Sequence, residues 1–100
     1  ITGSERIGPL PDVPTLVEQG IDVVFLYWIG LVVKAGTPKE IVQALSDALK
    51  FALGSKDLQE RFRADGVDPT FMSVPEFTDY VTKEIAMIGK LAEELQFVKD

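Results

Sequence analysis

The apolar positions of the chain fall into blocks with different periods, separated by Gly, Pro, Asp and Ser. Residues 1–14 carry no period: Gly3, Gly8, Pro9, Pro11 and Pro14 interrupt them, and an irregular opening segment is expected. Thr15 and Glu18 stand at capping-box spacing before Gly20, which predicts one helical turn over 15–19. Residues 23–33, VVFLYWIGLVV, are β-branched or aromatic almost throughout and predict a strand. No polar alternation breaks that run, so both of its faces are expected to be covered, as in an inner strand of an α/β sheet. A straight strand of this length reaches roughly 36 Å, against a radius of gyration of about 13 Å for an average domain of this size. A bend at Gly30, or service in a larger fold, is the expectation.

Helical periodicity takes over at Thr37, where Thr37, Pro38 and Glu40 predict a capped start. Ile41, Val42, Leu45, Ala48, Leu49 and Ala52 follow on one face up to Gly54. Ser55 is placed to cap a second helix with Leu58 and Phe62 on its apolar face, an Asp57–Arg61 pair on its surface and Gly66 at its end. Residues 68–72 read as a short strand or an extended link. Ser73 and Glu76 form another capping box, with Pro75 in the first turn, and open a long final helix marked by Phe77, Tyr80, Val81, Ile85, Ile88, Leu91, Ala92 and Leu95. The predicted fold class is α/β, with one long strand, one short strand and three helices after the first turn. The organisation is an irregular segment over 1–14 and one unit over 15–100.

Composition narrows the chemistry. The chain has 100 residues, no cysteine and no histidine, and a net charge of −6. Disulfides, thiolate or histidine metal sites, cysteine nucleophiles and histidine-based triads are excluded within it. The negative charge disfavours nucleic acid and anionic membrane surfaces as partners. The longest apolar run holds eleven residues, short of the ~20 that a membrane-spanning helix needs.

Few residues are arranged for catalysis. Asp65 and Asp68 flank a turn, where Asp serves local hydrogen bonding; Glu93 and Glu94 are adjacent on a helix and point roughly 100° apart. The glycine before the helix at Thr37 stands alone, without the further residues of a phosphate loop. Lys34 reads as a solvated end of the strand. Tyr27 and Trp28 are neighbours on the strand and therefore point to opposite faces, so one can pack inward while the other lines a cleft. Trp28, with Tyr27 second, is the candidate ligand contact. No catalytic residue, metal site or cofactor is expected.

Five stretches in order resemble one family. They are SER at 4–6 with LPDVPTLVEQG at 10–20, WIGL at 28–31, AGTPKEIV at 35–42, GVDP at 66–69 and SVPEF at 73–77. Together they are similar to the C-terminal third of the periplasmic solute-binding receptors of tripartite tricarboxylate transporters, the TctC-like or Bug receptors. The resemblance implies part of a two-lobed type II periplasmic-binding-protein fold, in which residues 23–33 form a hinge strand with Gly30 as its pivot. It further implies capture of a small organic acid, a di- or tricarboxylate or an amino acid, outside the cytoplasm for delivery to membrane transporter subunits, with no bond made or broken. The carboxylates would be held by backbone N–H groups and water. A strand with two apolar faces also leads to an expectation that the chain alone self-associates. The competing reading is a stand-alone α/β interaction module that pairs through that strand.

Overall fold

The computed structural model describes residues 1–96. After a single 3₁₀ turn, Val17–Gln19, it has three helices: α1 Lys39–Leu53, α2 Lys56–Ala64 and α3 Val74–Glu94. The unit read as 15–100 thus extends past the described residues.

The helix starts show which local signals held. At the 3₁₀ turn the Glu18 N–H donates to Thr15 Oγ1 at 3.1 Å, while the Thr15 N–H donates to Glu18 Oε2 at 2.8 Å. Gly20, with φ 82°, ends the turn in the left-handed region that favours glycine. Ser55 caps α2 by accepting from the Leu58 N–H at 3.3 Å. At α3 the Glu76 carboxylate accepts from both the N–H and the hydroxyl of Ser73, which holds its pKa below the usual carboxylate range. The expected cap at Thr37 does not form. Pro38, with ψ 140°, stands before α1, and the Thr37 hydroxyl donates back to the Lys34 carbonyl at 2.7 Å. That bond closes a turn around Gly36, whose φ of 83° most residues resist, and it leaves Pro38 rather than Thr37 at the cap position of α1. On the helix surfaces, Asp57–Arg61 at 3.3 Å and Asp79–Lys83 at 2.7 Å are exposed pairs four residues apart, each worth a few tenths of a kcal/mol.

The α/β expectation is overturned. Among the described residues there is no strand and no sheet; the fold is helical, so the class predicted for the chain, with its share of a two-lobed α/β receptor fold, does not stand. Residues 68–72 form a local loop in which the Thr70 hydroxyl donates to Asp68 Oδ2 at 2.7 Å and the Thr70 N–H to the Asp68 carbonyl at 2.9 Å. Residues 23–33 are not helical, but a strand is defined by its ladder, and this run has no ladder. Its one backbone bond to a distant segment is from Phe25 N–H to the Thr2 carbonyl, 2.8 Å.

The run lies along α3 instead. Val23, Val24 and Phe25 face Met87, Lys90, Leu91 and Glu94 across a groove of about 310 Å³, and Trp28 meets Phe77 and Tyr80 near the other end of the helix. The run and α3 are therefore antiparallel. About five residues of the run cover about a dozen residues of α3, roughly 18 Å at the helical rise, which requires a nearly extended backbone. The strand expected over 23–33 is therefore absent among the described residues.

Little of the apolar surface is enclosed. The chain exposes 8544 Å², whereas a compact monomer of 11.0 kDa exposes about 5,600 Å². The radius of gyration is 16.9 Å against about 13 Å for a compact domain. No hydrophobic side chain among the described residues is fully buried. No helix of the described residues is long and apolar enough to cross a membrane.

Among the described residues Thr15 is the one that is buried, at 1% exposure, and it sits within a network of hydrogen bonds. Arg6 Nε donates to both oxygens of Glu18, at 3.0 and 2.9 Å, and Arg6 Nη1 to the Pro11 carbonyl at 3.0 Å. The terminal amine of Ile1 donates to the Pro14 carbonyl at 3.2 Å. The Arg6 bond first, and the Thr15 N–H second, pull the Glu18 carboxyl from 4.5 down to about 2. A depressed carboxyl contributes stability that is present above its unfolded pKa and is lost as pH falls through the folded one. The lock around 1–20 is therefore expected to hold above about pH 4.5 and to loosen between there and about pH 2. Carboxyl NMR titration checks this: Glu18 should titrate near 2, and Arg6→Gln should return it toward 4.5. A Glu18 midpoint near 4.5 in the unsubstituted chain would contradict the lock.

Candidate functional site

The residues singled out as ligand contacts occupy one stretch and have separate surroundings. Trp28 is half-buried, 40% exposed, and presents to α3. Its ring meets Phe77 edge-on at 5.4 Å between centroids, with an interplanar angle of 82°, and Tyr80 at 5.9 Å and 84°. Such edge-to-face pairs favour the positive ring edge against the negative face. Tyr27 points away from this cluster and is 88% exposed. Ile29 at 81% and Val32 at 88% are as exposed, so strict alternation between a packed and an open face is confined to residues 27–29. Of the neighbouring pair, Trp28 packs against Phe77 and Tyr80, and Tyr27 is exposed.

Gly30 lies between these aromatic contacts, opposite the Phe77 ring. Its φ is outside the left-handed region, in contrast to Gly20, Gly36 and Gly66.

The other candidates stay apart. Asp68 accepts from the Thr70 hydroxyl. Glu94 lies 3.9 Å from Lys90, one turn back along α3. No group of three or more acids converges among the described residues in a way that could hold a metal ion. At the start of α1 the Thr37 N–H is taken by the Lys34 carbonyl at 3.2 Å.

Two features escaped the sequence reading. Arg6 is twelve positions from Glu18, and no local pattern announces that partner. Phe77 and Tyr80 were assigned to the apolar face of α3, but their meeting with Trp28 crosses about fifty positions of chain. The Tyr80 hydroxyl is pushed up from its ordinary pKa by desolvation first and by the charge of Glu84 second, so it remains a neutral phenol at neutral pH.

Comparison with known proteins gives this geometry its context. A family described as "Tripartite tricarboxylate transporter family receptor" matches residues 1–97. The chain is 37% identical over 93 residues to the UPF0065 protein in the gbd 5′ region of Cupriavidus necator, covering 89% of this chain and 28% of that protein. It is 37% identical over 98 residues to the UPF0065 protein in the TAR-I ttuE–ttuC′ intergenic region of Agrobacterium vitis, covering 94% and 28%. It is 30% identical over 86 residues to Protein BugT of Bordetella pertussis, covering 85% and 26%. The chain thus spans little more than a quarter of the length of these relatives. No solved structure matches it significantly. With every described residue inside the matched region, the chain belongs to the tripartite tricarboxylate transporter receptor family.

Proposed function

We propose that the protein carrying this chain is an extracytoplasmic receptor that captures a small organic carboxylate and passes it to the membrane subunits of a tripartite transporter. The family match over residues 1–97 carries this reading. The chemistry of the chain is compatible with capture rather than conversion. It offers no histidine or cysteine, and its net charge of −6 favours neutral donors over a cationic pocket for holding an anion. Tyr27 supplies an exposed aromatic ring with a hydroxyl donor, and the neighbouring backbone supplies N–H groups unbonded among the described residues. Tyr27 is the primary ligand contact in this reading, and Trp28 supports it from behind.

Calorimetry of citrate, glutamate and nicotinate tests the proposal on the complete protein. Binding of at least one is expected, with Tyr27→Ala weakening it several-fold while melting temperature changes little, since an exposed side chain moves stability by at most about 0.5 kcal/mol. Trp28→Ala is expected to act mainly on stability, by about 1–3 kcal/mol, below the range of a fully buried aromatic. Absence of binding to all three acids and to related dicarboxylates would remove the carboxylate reading. Unchanged affinity in Tyr27→Ala would remove Tyr27 from it.

A second reading, self-association of the 100-residue chain, is favoured by the exposed surface. The excess over a compact monomer, about 2,900 Å², is the size of an obligate interface. Sedimentation of the 100-residue chain at micromolar concentration is expected to give a dimer or larger species. A clean monomer of 11.0 kDa would contradict it.

A further inference from the structure

We infer that Gly30 is a socket for the Phe77 ring, and that this joint fixes the register of residues 22–34 on α3 so that Tyr27 faces away from the helix. The inference stands on contact geometry and is independent of whether the protein binds a carboxylate.

A Cβ at residue 30 would fall 2.8 Å from Phe77 Cε1 and 3.1 Å from Cε2, and closer still to Cζ. Separations under 3.0 Å are essentially never seen at real Cβ atoms, so a Cβ there requires the far edge of the Phe77 ring or the run itself to shift. Residue 30 must therefore lack a side chain while Phe77 holds its place. The backbone gives no other reason for glycine, since φ at Gly30 is not left-handed. An alanine would suit the chain there and fail only against the ring. A socket and a hinge differ in what an alanine meets: at a socket the penalty comes from the Phe77 ring, at a hinge from the lost torsional freedom of the glycine.

The consequence for register follows from the sequence. Gly30 is the only glycine between Gly20 and Gly36. A slip of one residue puts Ile29 or Leu31 over the ring; a slip of two puts Trp28 or Val32 there. Every alternative places a large side chain where only a hydrogen fits. A slip of one also exchanges the two faces of an extended run and would turn Tyr27, now 88% exposed, onto α3. Trp28, edge-on to both Phe77 and Tyr80, fills the space beside the socket and holds the joint from the other side.

The test is a double-mutant cycle of Gly30→Ala and Phe77→Leu in the complete protein, read by thermal melting and by the rate of chymotrypsin cleavage after Tyr27. Phe77→Leu keeps an apolar side chain on α3 and removes the ring atoms that the new Cβ would meet. Gly30→Ala alone is expected to lower the melting temperature and to speed cleavage by about tenfold, as overpacking lifts the run from the helix. On the Phe77→Leu background the same substitution should change cleavage and melting by less than half as much, the coupling expected of two residues in contact. Equal effects of Gly30→Ala on both backgrounds would overturn the socket and favour a hinge. Full tolerance of Gly30→Ala with Phe77 in place would overturn it as well.

Discussion

The packing of one extended apolar run against α3, with no second run to hydrogen-bond it, governs the rest of the structure. Trp28 meets Phe77 and Tyr80 edge-on, and Val23 to Phe25 follow α3 toward its far end. One face of the run is thereby covered. Among the described residues, Tyr27, Ile29, Leu31 and Val32 are left to solvent. A run in this state keeps unsatisfied backbone donors and acceptors at its edges, and they stay hydrated only while that edge is open. The low burial throughout the chain follows from the same arrangement: with a single helix behind the run and no layer in front of it, there is no closed interior for apolar side chains to enter.

Short-range chemistry was legible in the sequence; partnership across the chain was not. Thr15 with Glu18, Ser73 with Glu76, and Ser55 before Leu58 are bonds across three positions, and each is present. Thr37 shows the limit of that logic. Its spacing to Glu40 is the same, but Gly36 opens a turn that takes the hydroxyl backwards to Lys34. The β-rich composition of 23–33 was sound as a statement about an extended backbone and unsound as a statement about a sheet, because a sheet requires a partner that composition cannot name. Tyr27 and Trp28 were correctly set on opposite sides by their adjacency, yet which of them packs was decided by Phe77 and Tyr80, far along the chain. Arg6, which depresses the Glu18 carboxyl, carried no local mark of its role.

Family membership and geometry bear on each other at this run. The relatives are three to four times as long as the chain, and the stretch with the largest exposed apolar side chains is the one that contains Trp28 and Gly30. In the proposed receptor, a run held on α3 by the ring of Phe77 offers Tyr27 on its open face and backbone N–H groups along its edges. Neutral donors of this kind hold an anion without adding a buried charge, and the acidic character of the chain is then no obstacle. The rigidity of the support matters as much as the contacts, because a ligand contact on a sliding run loses affinity to the ordering it must impose.

The most direct measurement is an NMR nuclear Overhauser spectrum with the Trp28 indole as reporter, a clean choice because it is the single tryptophan of the 100 residues. The account predicts cross-peaks from the indole to ring protons of both Phe77 and Tyr80, whose centroids lie 5.4 and 5.9 Å away, and none to the ring of Tyr27 on the opposite side of the run. Indole cross-peaks that bypass Phe77 and Tyr80 would contradict it, for the run would then not lie on α3 in this register.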